Sequence, residues 1–110
     1  MLARLSTDYP DLFTHGTKRA RIPLKRGIYG DIRERYPEIS ARVVFAALYR
    51  YTRTRKYQSA LTYSTNRYDL DGNIAGSVTP EDRAKAKENV KRSLIRRSKV
   101  AKIEKSEQGE

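Results

Sequence analysis

Ser40-Ala-Arg-Val-Val-Phe-Ala-Ala-Leu-Tyr-Arg-Tyr-Thr-Arg-Thr-Arg-Lys-Tyr57 is the stretch on which the reading of this chain turns. Ser40 suits a helix N-cap, where its hydroxyl can accept a hydrogen bond from a first-turn amide. Val43, Val44, Ala47, Leu48 and Tyr51 then recur at helical spacing and form one apolar stripe directed at a core. At about 100° per residue, Arg42, Phe45, Tyr49 and Arg53 fall on the other side. A solvated charged face is the ordinary meaning of such a pattern. Two features argue for more. No Asp or Glu occurs from Ser40 to Tyr68, and Arg42, Arg50, Arg53, Arg55, Lys56 and Arg67 are interleaved there with Phe45, Tyr49, Tyr51, Tyr57, Tyr63 and Tyr68. Cations set among ring faces match a phosphate polymer with stackable bases.

Toward the C-terminus, Thr52 or Thr54 caps a further short helix carrying Arg55, Lys56 and Tyr57. The free amides of a helix start attract phosphate, and Tyr57 beside them either stacks on or hydrogen-bonds to a terminal nucleotide, or is an ordinary core ring. Thr62 to Val78 reads as a β-hairpin around Asp71-Gly72, flanked by Tyr68, Leu70, Ile74 and Val78, with Gly76 marking a bulge or edge. Asp69 and Asp71 have no base, nucleophile or metal ligand beside them, so they serve the turn rather than catalysis. Thr79-Pro80-Glu81-Asp82 starts a last, strongly basic helix, predicted to run to about Arg97 and to dock through Val90, Leu94 and Ile95. A frayed or disordered basic tail is expected over 98–110. The division is thus a folded unit, 1–97, and a tail.

Toward the N-terminus, Tyr36-Pro37 closes a helix marked by Leu24, Ile28 and Ile32 and running through Gly30 to about Arg35. Gly27 and Gly30 weaken it by roughly 1 kcal/mol each relative to alanine. The glycines do not form a nucleotide-cradling Gly-x-x-x-x-Gly-Lys-Ser/Thr loop. Lys18, Arg19, Arg21, Lys25 and Arg26 precede it without an acid among them. Leu2, Leu5 and Tyr9 mark a first short helix ended by Pro10, and Leu12 and Phe13 are core anchors. His15, the single histidine, and Gly16 open a loop; no second ligand type clusters there, so no metal site is expected.

The 110 residues suit one domain with a modest core. Twenty-four Lys and Arg against 13 acids give a net charge of +11, with a pI near 10.1. Such an excess favours a polyanionic partner. Disulfides and cysteine-bound zinc are excluded, because there is no cysteine. Apolar runs are too short to span a bilayer and no signal-peptide pattern opens the chain. A cytoplasmic, monomeric protein without cofactor, catalytic residue or membrane contact is therefore expected.

Three segments together carry a resemblance: Pro23-Leu24-Lys25-Arg26-Gly27-Ile28; Ala47-Leu48-Tyr49-Arg50-Tyr51-Thr52 with Tyr57; and Arg67-Tyr68-Asp69-Leu70-Asp71-Gly72-Asn73-Ile74-Ala75-Gly76. In order and spacing they are similar to the ProQ/FinO family of bacterial RNA chaperones, over roughly Leu5 to Leu94. The resemblance implies an α+β fold, mostly helical with one β-hairpin and a basic C-terminal helix. It also implies binding of the 3′ terminal hairpin and U-rich tail of small regulatory or antisense RNAs on one concave face, with protection of the RNA and modulation of pairing. Lys25, Tyr57 and Arg67 match positions associated there with RNA contact, and Arg50 to Thr52 match the helix supporting that face. Where relatives often carry cations on the outer side of the central helix, this chain has Ala41, Phe45 and Tyr49. It looks like a minimal, single-domain member.

The expected RNA-contact set is Lys25, Arg26, Arg42, Tyr49, Arg53, Arg55, Lys56, Tyr57 and Arg67. Two alternatives stand beside RNA. A helix-turn-helix DNA binder would use Ser40–Thr52 as recognition helix, but its solvent side offers rings rather than the Asn or Gln that read bases. A basic ribosome-associated protein would bind one large particle rather than many small transcripts.

Overall fold

Ser40 starts the central helix as its hydroxyl predicts: Oγ accepts from the Val43 amide at 3.3 Å. The computed structural model describes residues 1–14 and 19–108, with side chains described as far as residue 99. His15, Gly16 and Lys18, expected in a loop and a basic run, lie outside the described residues, as do the last two of the expected tail. Among the described residues the order is α1 (Leu2–Asp8), α2 (Ile28–Arg35), α3 (Ala41–Thr52), α4 (Arg55–Tyr63), β1 (Asn66–Tyr68), β2 (Ile74–Ser77) and α5 (Pro80–Gln108). The expected helical α+β architecture with one antiparallel hairpin is what forms.

The core gathers where the apolar stripes of α1 to α4 meet. Leu5, Phe13, Ile32, Val44 and Tyr51 are almost wholly enclosed. Tyr51 lies at the centre, its ring 5.2 Å from Phe13 and 5.8 Å from Tyr57 between centroids. Its hydroxyl accepts from the Thr14 amide at 3.2 Å, and the Arg21 guanidinium lies 4.3 Å over its ring. Arg21, an unremarked member of a basic run in the sequence, is thereby buried. Tyr36 closes α2 against α1, its hydroxyl donating to Asp8; burial first, then that carboxylate, raise its pKa to about 12.

Several expectations need correcting. Val43 is exposed, because the buried stripe of α3 is narrower than its run of apolar residues: Val44, Ala47, Leu48 and Tyr51 fill it. Gly27 does not weaken the interior of α2. It is the N-cap, at φ 85°, a left-handed conformation that glycine enters without steric penalty. The hairpin is shorter than 62–78. Thr62 and Tyr63 finish α4, where the Thr62 hydroxyl donates to the Ser59 carbonyl at 2.6 Å. The register is irregular between Asn66 and Tyr68, opposite Gly76 at φ 116°, so the bulge expected there is present. At the turn, Asp69 Oδ1 accepts from the amides of Asp71 and Asn73, the role assigned to it over catalysis.

Helix α5 continues beyond Arg97 to Gln108. Its start is a reciprocal cap: the Asp82 amide donates to Thr79 Oγ1 at 3.1 Å, and the Thr79 amide donates to Asp82 Oδ2 at 3.2 Å. Docking falls on its first half. Ala86 is buried and Val90 half-buried, whereas Leu94 and Ile95 are exposed. The reason is reach: α4 runs antiparallel to α5, with Ser64 bonded to Arg83 and Gln58 to Asn89, so its packing is spent on the first half of α5. The structure accordingly measures 55 Å along its long axis against 32 and 24 Å.

One strand-like segment locks the layers together. Residues 23–25 run parallel to β1, with the Lys25 amide donating to the Tyr68 carbonyl at 2.8 Å and the Tyr68 amide to the Pro23 carbonyl at 3.0 Å. The peptide groups of Leu24 that face the other way are held by side chains. Its N–H donates to the Tyr57 hydroxyl at 3.0 Å, and its carbonyl accepts from Arg67 Nη1 at 2.9 Å. Arg67 Nη2 also donates to Asp82 Oδ2 at 3.1 Å, and Arg26 pairs with the other oxygen of the same carboxylate. Arg26 foremost, with the Thr79 amide and Arg67, holds the Asp82 carboxyl well below the ordinary range.

Two outcomes follow from this lock. Tyr57→Phe strands the buried Leu24 N–H and lowers unfolding stability by about 1–3 kcal/mol, read as a lower urea midpoint with an unchanged m-value. Because the pKa of Asp82 is depressed by folding, its contribution is complete above the unfolded value near 3.9 and disappears as pH falls from there through the native value. Asp82→Asn should therefore be less stable than the parent at neutral pH, and should lose less melting temperature between about pH 5 and pH 2.

Candidate nucleic-acid interface

The lock sets how far three of the expected contact residues reach the surface. Tyr57 is 4% exposed and Arg67 9%. The ring expected to stack on a nucleotide is instead part of the core, and burial raises its hydroxyl pKa. Tyr57, Ala60 and Leu61 are the buried stripe of α4, which is why the ring turns inward. The guanidinium of Arg67 is committed to Leu24 and Asp82. Lys25 is half-buried and paired with Asp31 at 2.9 Å; that bond, with Asp69 and Glu34 nearby, raises its pKa. It faces a recess lined by four carboxylates, Asp31, Glu34, Asp69 and Asp71, against one further cation, Arg35, a net acidic surrounding that disfavours phosphate.

Other cations converge elsewhere. An open groove of ≈ 680 Å³ runs between α4 and α5. Arg53 and Arg55 stand at its α4 end, and α5 contributes Lys85, Arg92 and Arg96. Leu61 and Ala86 form apolar lining, and the Asn89 amide donates to Gln58 Oε1 at 3.0 Å across the two helices. Asp82 lines the groove too, but its charge is answered by Arg26 and Arg67. Arg92 pairs with Glu88 at 3.2 Å, both largely exposed, a contact too weak to withhold the guanidinium from a stronger anion. The groove is thus a row of guanidinium and ammonium groups over a firm floor, suited to phosphates at successive positions along a backbone.

The remaining expected residues surround this groove or lie beside it. Arg42 and Tyr49 are exposed on the outer side of α3, and Lys56 is exposed in the first turn of α4. Arg53 joins the two surfaces, lining the groove while its guanidinium covers the Tyr49 ring at 4.3 Å. Absent from the expected set were Lys85, Asn89, Arg92 and Arg96. Their signal was in the sequence: spacings of four, three and four residues put them on one stripe of a helix. Among the described residues no grouping of His, Cys, Asp or Glu has the geometry to hold a metal ion, and no helix is long and apolar enough to cross a membrane.

Comparison with known proteins agrees with this architecture. The ProQ/FINO family model matches residues 1–105. An RNA chaperone ProQ from Idiomarina loihiensis is 33% identical over 104 residues, covering 92% of this chain and 48% of that protein. A second, from Shewanella piezotolerans, is 33% identical over 89 residues, 76% of this chain and 42% of that one. The chain spans about half the length of these curated relatives. Among solved structures, the crystal structure of a FinO-like RNA chaperone from Neisseria meningitidis superposes with a TM-score of 0.72 at 28% identity, covering 84% of this chain and 75% of that one. The solution structure of a ProQ homolog from Legionella pneumophila gives 0.67 at 28% identity, with 83% and 78% covered. With its capped central helix, its Asp-Leu-Asp-Gly hairpin and a match over nearly its whole length, this chain belongs to the ProQ/FinO family.

Proposed function

We propose that this chain is a noncatalytic RNA-binding chaperone domain. It takes the 3′ terminal hairpin and U-rich tail of small regulatory or antisense RNAs, shields that end, and modulates pairing with a target. The observation that carries this is the cationic groove between α4 and α5 in a member of a family whose matched relatives are described as RNA chaperones. A-form RNA has a major groove too narrow for side chains, so a stem is recognised through phosphates, shape and 2′-hydroxyls. Arg53, Arg55, Lys85, Arg92 and Arg96 supply phosphate contacts, with Arg26, Arg42 and Lys56 at the margins. Tyr57 and Arg67 act as positioning residues that hold the Leu24 segment against the hairpin, and Lys25 contributes through its backbone pairing. The domain works as a cytoplasmic monomer, and the basic part of α5 from residue 98 onward is an arm that adds backbone affinity.

Titration of a fluorescent hairpin RNA with a 3′ uridine tail tests the reading. The logarithm of affinity should fall steeply with the logarithm of salt concentration, by roughly 0.7–0.9 per phosphate neutralised, and Arg55→Ala or Arg96→Ala should each reduce that slope by about one. Blocking the 3′ end should weaken binding more than changing the stem sequence. A flat salt response, or duplex DNA competing as well as the hairpin, contradicts the proposal. Crosslinking in cells should recover many small transcripts; recovery of ribosomal RNA alone would favour a ribosome-associated protein.

A further inference from the structure

With Tyr57 enclosed, an unpaired nucleotide needs another ring, and the structure has a row of them. Tyr29 of α2 meets Phe45 of α3 edge-on, 6.5 Å between centroids at 78°. Phe45 and Tyr49, one helical turn apart, lie 6.0 Å apart with planes 28° from parallel. Guanidinium groups cover both ends: Arg53 over Tyr49 at 4.3 Å, and Arg33 over Tyr29 at 6.0 Å. Phe45 is 61% exposed and Tyr49 50%.

We infer that this ring ladder is a stacking platform for a short run of unpaired RNA nucleotides, continuous through Arg53 with the α4–α5 groove that takes the paired stem. The inference rests on the RNA-binding reading and names the part of the RNA that this face takes. Every base has a π-face, so nearly parallel, exposed rings bind single strands without selecting sequence. Arg53 holds the outer face of Tyr49 by cation–π attraction until a base takes that face, and the displaced guanidinium then stays beside the phosphates that pass between stacked bases. Arg42 lies on the same stripe of α3 as Phe45, Tyr49 and Arg53, and α3 contains no acid to repel a backbone. That charge pattern selects a polyanion over a second copy of the chain, because a self-pairing would bring Arg33, Arg42 and Arg53 toward their own counterparts on a protein of charge +11.

The test uses the full chain and two hairpins of identical stem, one blunt and one with a short 3′ overhang carrying 2-aminopurine. The double variant Phe45→Ala/Tyr49→Ala should weaken the overhang hairpin by roughly 10- to 100-fold, abolish the 2-aminopurine quenching, and leave the blunt hairpin and its salt slope unchanged. Phe45→Tyr should retain quenching. Tyr63→Ala, which removes an equally exposed ring on α4, should change neither ligand. Equal loss on both hairpins, no loss on either, or sedimentation showing that the double variant dissolves a dimer overturns the ladder. Should the parent bind both hairpins alike, the ladder fails while RNA binding stands; should it bind neither, both fail.

Discussion

Leu24 lies on the inside of the fold, where its N–H and carbonyl cannot be left without partners, and much of the structure follows from how they are satisfied. A buried amide or carbonyl without a hydrogen bond costs about 1–3 kcal/mol. The N–H finds the Tyr57 hydroxyl and the carbonyl finds Arg67. Arg67 is a cation brought inside, so it in turn requires an anion, which Asp82 supplies from the first turn of α5. Through three side chains the extended segment 23–25, the second half of the helical layer, the hairpin and the last helix are held at fixed separations. The groove between α4 and α5 exists because those separations are fixed.

This dependence explains a division of labour among the cations. Arg21 covers the Tyr51 ring, Arg67 and Arg26 answer Asp82, and Lys25 answers Asp31. Among the charges left directed outward, those of the α4–α5 groove and the outer side of α3 lie next to one another, joined by Arg53. A high net charge by itself says that a polyanion is attracted; the internal pairings determine from which side.

Much of this was legible in the residues. Ser40, Thr54 and Thr79 each cap the helix that follows, because a hydroxyl before a helical run is a local signal with a local cause. The Asp-Gly turn is equally local. The direction of Tyr57 was half legible: Tyr57, Ala60 and Leu61 have core spacing, but a lone tyrosine beside Arg55 and Lys56 fits a binding surface as well. The burial of Arg67 was not legible, since it depends on a carboxylate in another element and on a backbone carbonyl some forty residues earlier. The stripe of cations on α5 was legible as a stripe; that it faces a groove depends on α4 packing against it. Val43 points outside the narrow buried stripe of α3, and Leu94 and Ile95 lie past the half of α5 that docks, so none of the three is covered despite its apolar side chain.

The length of α5 has a mechanical consequence. At ~1.5 Å per residue its 29 residues extend for about 43 Å, and the layer it docks against ends well before that. The helix is a pointer fixed at one end by Thr79, Asp82 and Ala86. A tilt of roughly 10° at that end would carry the far end about 7 Å sideways.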